Sequence, residues 1–201
     1  MVGKPNHMYE ALRSFINSKT GSEISDQEFK FVEAAFTPRI IKKKQFLSHA
    51  GSICQHMAFI VKGAMRQYVI DDRGTEHIVR FGLENWWMSD RESFSMLTPS
   101  KYNIDALEDC EVLVTTKEKI TNLKDQSLHF LKMAHVLDEN HYIATQNRIE
   151  ANISFTAEEK FQQLMKTHPE FIRRFPQNML ASYLGLTPET ISRIRKQMLF
   201  R

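Results

Sequence analysis

Glu189, Ser192 and Arg193 lie three and four residues apart, so on a helix they share one exposed face. Such side chains hydrogen-bond base edges in the major groove: Arg pairs with guanine, Glu accepts from cytosine, and Ser suits several bases. That chemistry needs a helix and a rigid element to hold it. The stretch "ASYLGLTPETISRIRKQ", 181–197, supplies both. Leu180, Ala181 and Leu184 form one helical face, and Gly185 can take the positive φ that ends the helix. Thr187 can cap the next helix, and Pro188 suits its first position. A second helix is predicted from about Pro188 to Gln197, with Ile191 and Ile194 turned inward. Two short helices across a glycine turn make helix-turn-helix geometry. An ordinary αα corner shares the apolar pattern but does not need the polar triplet.

The charge distribution agrees. Residues 151–201 carry eight Lys or Arg against four acids, a net +4, while the rest of the chain nets −1. A basic surface beside the triplet is what phosphate binding requires. The 201 residues, 42% hydrophobic and 25% charged, fit one large domain or two small ones. No apolar run is long enough to span a membrane, and the N-terminus lacks a signal peptide's apolar core. Cys54 and Cys110 form neither a disulfide framework nor metal-ligand spacing. A cytoplasmic location without a membrane partner is the expectation.

Three segments must position the triplet. The first, about 8–38, reads as helical: "MYEALRSFI" has helical spacing, and Ser25 with Glu28 reads as a capping box before "SDQEFKFVEAAF". From 39 to 117 the chain changes to short runs such as "MAFIV", "AMRQYVI", "EHIVRF" and "CEVLVTT", with Gly51, Gly63, Gly74 and Gly82 between or within them. That spacing predicts an antiparallel sandwich or barrel. From Lys119 to Ile153 there is no Gly and no Pro, which predicts one long helix. Its stripe of Phe130, Met133, Ala134 and Leu137, continued by Ala144, is the candidate homodimer face. Packing within one chain is the other use for such a stripe. Thr156 with Glu159 opens a further helix, which Pro169 ends. The expected domains are 1–125, 126–153 and 154–201.

A roll, a long helix and a terminal helix-turn-helix, in that order, resemble the Crp/Fnr family of bacterial transcription regulators. The resemblance is sharpest over 177–196, where "YLGLTPETISR" is similar to the Fnr branch, with Glu189, Ser192 and Arg193 at its reading positions. The lead-in "PQNMLASYLG" and the ending "SRIRK" are similar to regulators common in Bacteroidetes. The implied fold class is α+β. It comprises an N-terminal antiparallel β-roll (a double-stranded β-helix of the cyclic-nucleotide-binding type) with flanking helices, a long dimerisation helix and the helix-turn-helix. The chain ends at Arg201, so little or no β-wing is expected. The resemblance implies a homodimer on double-stranded DNA at a palindrome like TTGAT/ATCAA. Arg193 would meet guanine, Glu189 cytosine and Ser192 thymine. Thr187, Thr190, Arg195 and Lys196 would meet phosphates, with Pro188 beside them. RNA polymerase is a further partner it suggests.

In this family the roll often holds a cyclic nucleotide through a Gly-Glu pair and an Arg about ten residues on. Gly82 and Glu84 stand here with Leu83 between them, and "PSKYN" replaces the Arg region. Lysine does not offer the bidentate geometry of arginine, so cyclic AMP is not expected. Phe81, Gly82, Glu84, Trp86, Trp87, Arg91, Lys101 and Tyr102 are the candidate contacts for an unidentified small-molecule effector. Core packing is the competing role for Trp86 and Trp87. Two cysteines are too few for an iron–sulfur cluster of the family's kind. No His-x-His pair supports a metal-dependent enzyme on a β-roll, so no catalytic or metal residue is assigned. A sensor or scaffold whose terminal helices bind protein is the alternative to a DNA-binding regulator.

Overall fold

The computed structural model describes residues 6–199. Residues 1–5 and 200–201, including the Arg201 of the basic count and the chain end considered for a wing, lie outside the described residues. In chain order the elements are α1 (Asn6–Thr20), α2 (Asp26–Ala35), β1 (Thr37–Ile41), β2 (Phe46–Ser48), β3 (Met57–Lys62), β4 (Met65–Ile70), β5 (Glu76–Gly82) and β6 (Trp87–Met88). There follow α3 (Arg91–Met96), β7 (Asn103–Ala106), β8 (Cys110–Thr115), α4 (Lys117–Gln126), α5 (Leu128–Ser154), α6 (Ala157–Thr167), α7 (Pro169–Arg174), α8 (Gln177–Leu184) and α9 (Pro188–Leu199). They form an α+β chain with two four-stranded sheets, ordered β1-β8-β3-β6 and β2-β7-β4-β5. The chain divides into two compact units. One holds the described residues up to Val69 and Arg80–Asp138, and the other holds Ile70–Val79 and those from Glu139 onward.

The first unit follows from strand periodicity. Side chains alternate between the faces of a strand, so a buried sheet needs two different coverings. On β3 and β8, paired antiparallel, Ala58 and Ile60 lie opposite Val114 and Val112. These join Met65, Ile104 and Ala106 in the core of the roll. The alternate pair, Phe59 opposite Leu113, instead meets Met8, Leu12 and Ile16 of α1 and Phe29 and Val32 of α2. Leu123 of α4 and Phe130 and Met133 of α5 complete that second cluster. Gly63, between β3 and β4, has a φ of +103°, and a Cβ there would stand 2.8 Å from the Asp109 carbonyl oxygen. Arg66 on β4 grips Asp105 on β7 in a buried bidentate pair at 2.9 and 3.1 Å, with the Tyr68 ring 4.1 Å from its guanidinium carbon.

The expected single helix from 119 to 153 is instead two. Ser127 has an extended backbone and separates α4 from α5. Its hydroxyl accepts from the Phe130 amide and donates to Glu28 Oε1 at 2.6 Å. The expected capping box at Ser25 is half made for the same reason. Ser25 accepts from the Glu28 amide, but the Glu28 carboxylate is drawn away to Ser127 and His129.

The second unit is a helical cluster. Phe161 and Leu164 of α6, Phe171 of α7, Leu180 and Ala181 of α8, and Ile191 and Ile194 of α9 are buried, as is Phe175 between α7 and α8. The capping box at α6 forms in full, with Thr156 Oγ1 accepting from the Glu159 amide and Glu159 Oε2 accepting from the Thr156 amide.

Candidate nucleic-acid interface

Helix α9 is set by local signals. Gly185 ends α8 in the left-handed region with a φ of +68°, where a side chain would be strained. The Leu186 amide then donates to the Ala181 carbonyl at 2.9 Å, closing the turn. Thr187 Oγ1 accepts from the Thr190 amide at 3.2 Å and caps α9, with Pro188 as its first residue. Ile191 and Ile194 are almost wholly inaccessible to solvent. Their burial contributes roughly 1.5–3 kcal/mol each and fixes the helix's rotation about its axis.

That rotation decides what the opposite face shows. A groove of about 550 Å³ is lined by Gln177, Pro188, Glu189, Ser192, Arg193, Lys196 and Gln197. Glu189, Arg193 and Lys196 are exposed, and Ser192 is half-buried. The structure thus gathers Pro188, Glu189, Ser192, Arg193 and Lys196 from the sequence candidates. It adds Gln177, whose side-chain amide donates to the Pro188 carbonyl at 2.6 Å and ties the start of α8 to the start of α9. The hydroxyls of Thr187 and Thr190 face each other at 3.1 Å beside this face. Arg195 is exposed and lies outside this groove. Its guanidinium carbon stands 5.9 Å from the Phe161 ring centroid, on the side of α9 that meets α6.

The effector candidates of the roll each have partners of their own within the fold. Phe81 is core, and a Cβ on Gly82 would stand 2.6 Å from Met88 Sδ, so this glycine serves close packing. Glu84 accepts from the Gly63 amide at 2.8 Å, which commits an oxygen to the β3–β4 turn. Trp87 is not a stacking wall. It packs among Phe59, Phe36, Phe130 and Phe15, with ring centroids 5.1 to 6.5 Å away. The backbone of Trp86 bonds Leu83 and Ile60. Arg91 pairs with Asp138 at 2.5 Å, and Lys101 pairs with Glu92 at 3.5 Å beside the Tyr102 ring.

A buried polar knot that the sequence did not single out lies at α3. Asp90 caps this helix, its Oδ1 accepting from the Glu92 and Ser93 amides at 3.1 and 3.3 Å. Its Oδ2 accepts from Ser100 Oγ at 2.6 Å. Ser93 Oγ in turn accepts from the Cys54 amide at 2.8 Å. The available signal was an aspartate immediately before "RESFSM". Burial raises the Cys54 thiol and pushes Cys110 up to about 11, so neither is a ready thiolate ligand. Among the described residues, no cluster of three or more His, Cys, Asp or Glu is placed to hold a metal ion.

The dimer candidates on α5 also need correction. Phe130 and Met133 are buried in the first unit's own core, with Leu137 packed against it and Ala134 half-buried. Ala144 is exposed but stands ~200° around the helix from Tyr142. The open apolar face belongs to the helix's second half: Tyr142, Ile149 and Ile153, with Gln146 between them. The 4-3-4 spacing of these residues makes a narrow heptad-like stripe. Gln146, Ile149 and Ile153 also line a shallow groove of about 380 Å³.

Known proteins share this architecture. A family model described as the cyclic nucleotide-binding domain matches residues 38–127. FixK2 from Bradyrhizobium japonicum superposes with a TM-score of 0.65 at 18% identity, over 82% of this chain and 85% of that one. The c-di-GMP responsive global regulator CLP from Xanthomonas campestris gives 0.67 at 13% identity, over 87% and 92%. A regulator from Eubacterium rectale assigned to the Crp/Fnr family gives 0.64 at 15% identity, over 88% and 84%. No curated protein sequence matches the chain. No helix among the described residues is long and apolar enough to cross a membrane. Residues 38–127 thus match the cyclic nucleotide-binding domain model, and the chain shares the fold of solved Crp/Fnr-type regulators.

Proposed function

We propose that this chain is a cytoplasmic, non-enzymatic transcription regulator of the Crp/Fnr type that reads a palindromic DNA site as a homodimer. The observation that carries the reading is the groove on α9, where Glu189, Ser192, Arg193 and Lys196 line one face while Ile191 and Ile194 anchor the other. A protein-docking helix would expose apolar side chains there. This face offers instead two cations, a carboxylate and a hydroxyl, which suits base edges and phosphates. Arg193 pairs with guanine, Glu189 accepts from cytosine and Ser192 contacts thymine in a TTGAT-like half-site. Lys196 meets phosphate. Arg195 supports α9 through Phe161 rather than reading the groove.

The second copy docks along the stripe Tyr142, Gln146, Ile149 and Ile153, which is exposed among the described residues. The domains at work are the roll and its helices, the α5 dimer helix and the 154–201 reading domain. Cyclic AMP is not the proposed effector, because Ser100 and Lys101 stand in the region where the family's phosphate-binding Arg is expected, and the Ser100 hydroxyl is committed to Asp90. Fluorescence anisotropy on a TTGAT–N4–ATCAA duplex and a scrambled duplex, with and without cyclic AMP, tests the proposal. Tight binding to the palindrome alone, unchanged by cyclic AMP, is the expected result. Equal affinity for both duplexes contradicts the assigned readers, and dependence on cyclic AMP contradicts the effector assignment.

A further inference from the structure

Two consecutive residues of α8 are held by groups from two other segments of the second unit. Ser182 Oγ accepts from the Ile78 amide at 2.9 Å and donates to the Glu76 carbonyl at 3.0 Å. Arg148 on α5 donates through Nη1 to the Val79 carbonyl and through Nη2 to the Tyr183 carbonyl at 3.3 Å. Its guanidinium carbon also lies 4.6 Å from the Tyr183 ring centroid. Strand β5 is the outer strand of its sheet, so its outward backbone groups have no strand partner. Ser182 satisfies two of them, at Glu76 and Ile78, and Arg148 adds a bond to the Val79 carbonyl; Ile78 is buried.

This arrangement bears on more than stability. Only Phe155 and Thr156 join α5 to α6, and a two-residue link leaves the direction of the following helices open. Arg148 adds a second tie. Its planar fork has fixed geometry, so bonds to carbonyls on two elements constrain angle as well as distance. On α5, Arg148 is adjacent to Ile149 of the exposed stripe, and on α8 its partner Tyr183 precedes the turn into α9. This guanidinium therefore helps to set the angle between the stripe and the reading helix, beside the chain link and the Ser182 bonds.

We propose that Arg148 and Ser182 are positioning residues that set which half-site spacing the dimer reads. The inference rests on the DNA-binding homodimer proposed above. One extra base pair moves a half-site by about 3.4 Å and turns it by about 35°. A rigid pair of reading helices rejects that displacement, and a loosened pair tolerates it.

The test is selection of duplexes from a random library by the full-length protein, followed by sequencing. Wild type, Arg148→Ala, Arg148→Lys and Ser182→Ala are compared, each first checked for native circular dichroism and cooperative melting. Wild type is expected to enrich one palindrome with one spacer length. It should favour that spacer over its neighbours by roughly tenfold or more, since a displaced half-site loses at least one base contact. Arg148→Ala should enrich the same half-site sequence with spacers spread over neighbouring lengths. Ser182→Ala should broaden less, and Arg148→Lys should not restore wild-type selectivity, because an ammonium lacks the fork. A merely structural role would lower melting temperature and affinity without widening the spacer distribution. Variants that keep the single spacer overturn this inference alone. A wild type that enriches no palindrome removes the DNA-binding proposal and this inference with it.

Discussion

Ser100 Oγ donates to Asp90 Oδ2 at 2.6 Å inside the first unit, while the other oxygen of that carboxylate caps α3. Both residues are almost fully buried. Ser100 stands in the region where the family's phosphate-binding Arg is expected, and it offers a cyclic phosphate no bidentate cation. Saturating cyclic AMP is therefore expected to leave the melting temperature of the wild-type protein unchanged. Asp90→Ala should lower stability by about 1–3 kcal/mol, through the lost cap and the lost hydrogen bond from Ser100. Thermal scans with and without nucleotide check both outcomes, and a nucleotide-dependent rise in wild type refutes the first.

Arg193 and Lys196 occupy the same groove but are assigned different work. Arg193→Ala should cost about 1–3 kcal/mol of DNA affinity and relax preference at one base pair. Lys196→Ala should weaken all duplexes alike and reduce the salt slope by about 1. Anisotropy on singly substituted duplexes over a salt series separates the two. Even weakening by Arg193→Ala on every sequence would remove it as a base reader.

Glu28 makes an acid-sensitive tie between α2 and the start of α5. Burial alone would raise its carboxyl group. Hydrogen bonds from the Ser127 hydroxyl at 2.6 Å and the His129 amide at 2.9 Å, with the His129 ring at 2.8 Å, outweigh burial and hold it below the usual 4.5. A carboxyl lowered in the folded state stabilises fully above its unfolded value. That contribution fades as pH falls through the folded value. The melting-temperature gap between wild type and Glu28→Gln should therefore be largest near neutrality and shrink below about pH 4.5. A gap independent of pH would mean the carboxylate's charge is not what binds the two helices.

Helix α9 was legible because its determinants are local. Gly185, Thr187 and Pro188 lie within four residues, and each acts on its own backbone. The break at Ser127 was not, because the carboxylate that meets its hydroxyl comes from Glu28, 99 residues earlier. The effector region failed differently. Gly82 and Glu84 matched a pattern by residue type, while their actual partners, Met88 and Gly63, follow from strand positions that spacing does not reveal. The knot of Asp90 and Ser100 joins residues ten apart across the short α3 and the loop that follows it, too brief for a periodic signal.

Helix α5 shows why an apolar stripe alone does not name an interface. Phe130 and Met133 were the strongest apolar positions of the stripe, yet their own chain covers them. Tyr142, Ile149 and Ile153 are diluted by polar neighbours and remain exposed, Ile153 at 81%. Periodicity finds a face, but only packing says what covers it. The two halves should therefore respond oppositely to mutation. Met133→Ala should cost about 2–5 kcal/mol of folding stability while leaving the molar mass in solution unchanged. Ile149→Glu combined with Ile153→Glu should leave folding intact, halve the sedimentation-equilibrium mass and abolish tight binding to a palindrome. A charge on each copy's stripe would have to be buried unpaired for the dimer to form. If the double variant keeps the wild-type mass, the second half of α5 is not where two copies meet.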